Sequence, residues 1–157
     1  MTRKKKWALA VLSLLVAVIA IQPFRPERNE SAGPFPEELT TVVPAPDSVQ
    51  ALLRSACYDC HSNHTKYPWY AEVQPGGWYL ARHIREGKQE LNFHEFGAYS
   101  KRRQVSKLKS IANQVHDGEM PLRSYTWLHP EARLSAGQKQ SIVAWAQAAA
   151  DSLAVIE

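Results

Sequence analysis

Four segments of the chain carry apolar residues at the spacing of an α-helical face. They begin near Asp47, Trp78, Ser100 and Ser135. In two of them the apolar residues fall at i, i+3, i+4 and i+7: Val49, Leu52, Leu53 and Ala56, then Leu108, Ile111, Ala112 and Val115. No stretch alternates between polar and apolar residues with a period of two. The fold class predicted for the body of the chain is therefore all-α.

Capping signals mark the starts of two of these helices. Asp47 with Gln50, and Ser135 with Gln138, have the spacing of a capping box, in which two side chains satisfy free backbone N–H groups. The pattern predicts that one helix is capped by Asp47 and another by Ser135.

Two glycines predict where the middle helices end. Gly87 is expected to end the second helix and Gly118 the third, because glycine is favoured just after a helix. Long loops are then predicted over residues 62–77 and 118–134. Loops of that length usually serve a functional site.

The first 21 residues have the pattern of an export segment. Basic residues 3–6 precede an apolar run of 15 residues from Trp7 to Ile21, interrupted only by Ser13. As a helix the run is roughly 22 Å long, between a signal-peptide core and a full membrane span. We predict a signal anchor over residues 1–21, which makes the protein single-pass in the cytoplasmic membrane with its domain in the periplasm. Cleavage to a soluble periplasmic protein is the alternative.

The segment after the apolar run is rich in proline. Residues 22–46 contain six of the ten prolines, and proline cannot continue a helix. This segment is predicted to be an extended tether. The predicted helical domain then occupies residues 47–157.

The positive charge of the chain is concentrated in the export segment. The net charge is +4, and four of the 19 basic residues precede residue 7, which leaves 15 basic against 15 acidic residues. A neutral domain has no general electrostatic attraction for phosphate backbones. The sequence therefore predicts no nucleic-acid partner.

The two cysteines of the chain lie three positions apart, in the sequence Cys57-x-x-Cys60-His61. This is the spacing of c-type haem attachment. Two thiols on one turn reach the two vinyl groups of a haem, and the next residue presents its imidazole to the iron as proximal ligand. The motif predicts one covalent haem c. The other ring nitrogen of His61 is expected to donate to a backbone carbonyl, with Pro75 as a candidate acceptor.

Two other interpretations of the cysteine pair stay open at this point. A thioredoxin-like dithiol requires a βαβ setting, which the helical pattern lacks. A zinc site requires four ligands, so histidines would have to complete it.

The sixth iron ligand is predicted to be Met120, the only methionine after Met1. It lies in an irregular segment, Gly118-Glu119-Met120-Pro121, between two helices. The alternatives are a methionine that fills the core, ligation by His116, His64 or His83, and an open coordination site.

Further motifs resemble those of a known family. They are Cys57-Tyr58-Asp59-Cys60-His61-Ser62-Asn63, Tyr67-Pro68-Trp69-Tyr70, Leu91-Asn92-Phe93, Gly118-Glu119-Met120-Pro121, Tyr125, His129-Pro130, Leu134-Ser135 and Trp145. Over about residues 40–150 the chain resembles the membrane-anchored bacterial haem-binding domain family, and more distantly class I c-type cytochromes. The resemblance implies a small cytochrome c-like helical domain around one covalent haem, an N-terminal membrane helix and a methionine as sixth ligand. One departure is Leu122, where many cytochromes have a second proline.

One-electron transfer is the function that these predictions favour. His/Met ligation raises the potential of a haem and leaves no open coordination position. No acid–base pair, nucleophile or phosphate loop is recognisable, so an electron carrier is expected rather than an enzyme, with a redox partner protein that the sequence does not identify. The alternatives are a haem peroxidase or a gas or redox sensor with a displaceable sixth ligand, and an interaction module without haem. Tyr125 and Trp127 are candidate donors to a haem propionate.

Overall fold

A computed structural model describes residues 2–155, and within that range the chain is helical. Met1, Ile156 and Glu157, the outer ends of the predicted export segment and domain, lie outside the described residues. The described residues form eight α-helices in chain order: α1 (Arg3–Ile21), α2 (Leu39–Val42), α3 (Asp47–Ala56), α4 (Tyr58–His61), α5 (Gly76–Glu90), α6 (Lys101–Asp117), α7 (Arg123–Leu128) and α8 (Ala136–Ala154). Three short 3₁₀ helices span Trp69–Glu72, Phe93–Ala98 and Pro130–Ala132. The all-α class is confirmed for residues 2–155, where the only extended pairing is an isolated bridge between Glu30 and His64.

The core forms where α6 and α8 pack along each other and α3 packs across α8. Leu108 of α6, Ile142 and Ala146 of α8, and Leu53 of α3 are fully buried. These residues follow the helical spacing of their segments, so each helix turns one apolar face inward. This interface fixes the helix that leads into the cysteine motif against the rest of the domain.

Of the two N-caps predicted from the sequence, one is confirmed and the other is wrong. Ser135 caps α8, and both hydrogen bonds of its capping box with Gln138 are present, as predicted. The predicted capping box of Asp47 and Gln50 is wrong, because the N-cap of α3 is Pro46. Asp47 is already the first helical residue, one position too far inside the helix to cap it.

Of the two helix ends predicted from glycines, one is confirmed and the other is wrong. Gly118 follows α6 in a left-handed conformation, with φ of 73°, and ends it as predicted. The end predicted at Gly87 is wrong, since α5 continues to Glu90. The predicted loops over 62–77 and 118–134 are shorter than expected, because they contain α7 and two of the 3₁₀ helices.

The proline-rich segment takes a path that differs from an extended tether. Leu39 is fully buried and Val43 nearly so, and both belong to the main core. Asn29 donates its backbone N–H to the Tyr67 hydroxyl at 2.7 Å and its side-chain amide to the Ser62 carbonyl at 2.8 Å. The burial of Leu39 and Val43 and the hydrogen bonds of Asn29 together hold the segment against the domain.

The N-terminal helix α1 has no buried residue. In the described chain, no helix combines the length and the apolar content required to cross a membrane. The end of α1 contacts the domain through Gln22, whose amide oxygen accepts the Gln74 backbone N–H at 2.9 Å. The Trp78 indole N–H donates to the Phe24 carbonyl at 2.6 Å.

Candidate functional site

The cysteine motif forms a single helical turn, α4, which a break in the helical backbone at Cys57 separates from α3. Cys57 ends α3 with φ of −130°, and α4 starts at the next residue. The backbone N–H groups of Cys60 and His61 donate to the Cys57 carbonyl at 3.2 and 3.0 Å. The turn therefore holds two unpaired, half-buried thiols and one imidazole in a fixed arrangement.

Both thiols are in an environment that keeps them protonated. Burial raises the pKa of Cys57 to about 12, with the neighbouring Cys60 as a smaller cause. Burial also raises the pKa of Cys60 to about 11, aided by the charge of Asp59. Redox-active dithiols depend on a thiolate of lowered pKa, so this environment disfavours the dithiol interpretation.

The imidazole of His61 is held by two backbone carbonyls. Its Nδ1 lies 3.0 Å from the Gly87 oxygen and 3.1 Å from the Leu91 oxygen. Because carbonyls only accept, Nδ1 must carry the proton, which leaves a lone pair on Nε2. Burial lowers the pKa of His61, so the neutral ring is favoured. The predicted backbone acceptor is confirmed, but Pro75 as that acceptor is wrong.

Gly87 has its place inside α5 because the cysteine turn lies directly against it. A Cβ at Gly87 would be 2.8 Å from the Cys60 carbonyl oxygen, closer than such atoms approach in proteins. The missing side chain lets α5 approach α4 closely enough for the Gly87 carbonyl to reach His61. The glycine thus serves a tertiary contact rather than a helix end.

We expect Gly87→Ala to lower the free energy of unfolding by about 1–3 kcal/mol, because α5 must move away from α4. The matched control is Gly137→Ala in α8, where nothing lies within 4 Å of an added Cβ. That change should leave stability unchanged or raise it by about 0.5–1 kcal/mol. Urea unfolding of both variants checks the pair, and equal stabilities would contradict the close contact.

Two adjoining cavities, of about 320 and 300 Å³, open beside the cysteine turn. Both are lined by the same six residues: Ala56, Cys57, His61, Glu90, Met120 and Pro121. The first cavity continues over Leu91, Phe93 and the α6 face, and the second over Cys60 and Leu122. Their volumes are in the range of ligand-binding pockets, which are mostly apolar with a few polar groups.

Met120 is brought to the cavities by the end of α6. Gly118 turns the chain, and the backbone N–H groups of Glu119 and Met120 both donate to the Gln114 carbonyl, at 3.0 and 3.1 Å. The half-buried Met120 side chain therefore lines the same cavities as Cys57 and His61. The structure thus brings together all four residues that the sequence predicts for the site.

The competing histidines have different surroundings. His116 is exposed and its Nδ1 lies 3.0 Å from an Asp117 carboxylate oxygen, while His64 is also exposed. In the described chain, neither lines the two cavities that contain His61. His83 does line the second cavity, with its Nδ1 2.9 Å from the Tyr79 carbonyl oxygen.

A hydrogen bond that the sequence did not predict joins α7, the helix after Met120, to the cysteine turn. The Tyr125 hydroxyl donates to Asp59 Oδ2 at 2.7 Å, and the Lys66 backbone N–H donates to Oδ1 at 3.0 Å. The Tyr125 ring also stacks on His129, with centroids 4.1 Å apart. The Tyr125 hydroxyl, one of the two predicted propionate donors, thus donates to Asp59. Trp127, the other predicted donor, has a side chain that is 77% exposed.

We expect Tyr125→Phe to destabilise the domain by about 1.5–3 kcal/mol, the usual value of a hydrogen bond to a charged group. Tyr79→Phe is the control, since Tyr79 lines a neighbouring cavity but its hydroxyl bonds to no residue between 2 and 155. Thermal unfolding of the two variants makes the comparison. Equal effects would show that the Tyr125–Asp59 bond contributes nothing.

Comparisons with known proteins support haem binding. The family model described as haem-binding domain matches residues 16–148, most of the chain. Searches of curated proteins and of solved structures found no match.

Proposed function

This chain belongs to the haem-binding domain family, and we propose that it binds one haem c for one-electron transfer. In this proposal Cys57 and Cys60 form the two thioether bonds. His61 is the proximal iron ligand and Met120 the distal one.

The observation that carries the proposal is the convergence of four suitable groups on one pair of cavities. Two unpaired thiols lie on one turn with His61. The Nδ1 of His61 is held by carbonyls, and its Nε2 forms no hydrogen bond within residues 2–155. A thioether from a separate segment lines the same cavities. This donor set fits a haem with two axial ligands and covalent attachment.

The identity of the two proposed iron ligands supports electron transfer. Haem iron supplies the one-electron couple, and the thioether of Met120 is a soft ligand that favours the ferrous state. Two hydrogen bonds to backbone carbonyls fix the ring of His61, so it would hold the iron with little change in orientation between oxidation states. With His61 and Met120 both bound to the iron, no position on the metal would be open to a substrate.

The proposal is tested on protein produced with the c-type maturation machinery. A pyridine haemochrome assay should report one haem per chain, and the ferric spectrum should be low-spin with the far-red charge-transfer band of methionine ligation. A high-spin ferric spectrum would favour the peroxidase or sensor function instead. A chain without haem would refute the proposal.

We further propose that residues 1–21 direct the domain to the periplasmic side of the cytoplasmic membrane, either as a retained anchor or as a cleaved signal. Support comes from the four basic residues before the apolar run. Membrane fractionation followed by N-terminal sequencing distinguishes the two forms. Haem-free protein confined to the cytoplasm would refute export.

A further inference from the structure

Helix α6 forms a polar edge of the first cavity. Helix α6 presents Lys107, Ser110, Ile111, Gln114 and Val115 to the first cavity, at the spacing of a single helical face. Ile111 and Val115 are buried, whereas Ser110 and Gln114 are exposed. The lining therefore changes from apolar to polar across the width of the helix.

Lys107 is the one lysine or arginine that lines either cavity within residues 2–155. Its side chain is only 21% exposed, so most of the side chain packs against the protein at the edge of the cavity. Its partner is Glu90, whose carboxylate lies 3.5 Å away and whose side chain is 81% exposed. Such a pair contributes little energy. An ammonium has three donors, so Lys107 retains capacity for a second anion.

The position of Lys107 relative to the cysteines indicates which anion fits. Lys107 lines the first cavity but not the second, Cys60 lines the second but not the first, and Cys57 lines both. In a haem, the vinyl groups and the two propionates leave from opposite edges of the ring. Thioether bonds at the cysteines would therefore direct the propionates away from that edge.

We propose that Lys107 binds a haem propionate and thereby raises the reduction potential of the site. The inference rests on the proposed haem c function. A positive charge near the iron, and a neutralised carboxylate, both favour the ferrous state. Glu90 competes for the same ammonium, so it should act in the opposite direction.

The experiment is a potentiometric titration of the haem-loaded protein and four variants. Lys107→Met should make reduction about three- to tenfold less favourable, a fall of roughly 30–59 mV for one electron. Lys107→Arg should restore most of the potential. Lys109→Met is the matched control, because Lys109 lies on the same helix, is exposed and does not line the cavities. Glu90→Gln, at a cavity residue whose side chain is 81% exposed, should raise the potential even if Lys107→Met folds poorly.

A second measurement separates a propionate contact from a general charge effect. The propionate bending band in the resonance Raman spectrum should shift in Lys107→Met and stay unchanged in Lys109→Met. Equal potentials and spectra for these two variants would overturn the inference while leaving the haem proposal intact. A wild-type chain without haem would overturn both.

Discussion

Haem should disappear completely from denatured protein when Cys57 and Cys60 are both replaced by alanine. The two thioether bonds are the only covalent links that the proposed site provides, because His61 and Met120 bind only the iron. Denaturation breaks the axial bonds and leaves thioethers intact. Haem staining of a denaturing gel, with intact mass measurement beside it, reads the result directly.

Single cysteine variants supply the control for this experiment. Cys57→Ala and Cys60→Ala each leave one thiol on the turn, so a fraction of each should keep covalent haem. In the native double variant the cavities and the two axial ligands are still present, so reversible haem binding is expected there. A haem-stained band in the denatured double variant would contradict attachment at this turn.

The sequence predicts α6 and α8 well because the signals for both are local. Each has apolar residues at helical spacing, and each has a recognisable boundary, Gly118 for α6 and Ser135 for α8. Local hydrogen bonds decide such boundaries, so the sequence around them is sufficient. The body of these two helices was therefore predictable without any tertiary information.

The errors occur where a residue serves a distant contact. Glycine is typical of a helix end, but Gly87 lies inside a helix because the Cys60 carbonyl is too close for a side chain. A Cβ at Gly87 would lie 2.8 Å from that carbonyl oxygen. The prolines around Leu39 predict an extended path, but burial of Leu39 in the core decides the fold of that segment. In both cases packing overrides local preference.

In the candidate site, too, the residues with a local signal were predictable and those that make distant contacts were not. Cys57, Cys60 and His61 are predictable because one turn contains all three. The acceptors of His61, at Gly87 and Leu91, lie 26 and 30 residues further along the chain and have no local signature. Asp59 and Tyr125 are separated by 66 positions, and nothing near either residue indicates that they bond. A homologue alignment that showed them varying together is the signal that would find such a pair.

Met120→Ala is expected to keep the haem attached but to change its spectrum and potential. The cysteines and His61 are untouched, so covalent attachment should be complete. Loss of the thioether leaves one axial position open, and the ferric haem should become high-spin or take up water. The reduction potential should fall by on the order of 100 mV or more, since axial ligands set haem potentials over about 0.8 V. Carbon monoxide should then bind the reduced protein.

Met120→Leu separates ligation from packing in this experiment. Leucine keeps the volume and apolar character of methionine, so it should preserve stability to within about 1.5 kcal/mol, but it has no donor atom. If Met120 binds the iron, both variants lose the far-red band and gain carbon monoxide binding. If Met120 only fills the cavity wall, both keep the wild-type spectrum and only the alanine variant loses stability, by about 2 kcal/mol or more. In that case His83, which lines the second cavity beside Met120, is the next ligand to replace.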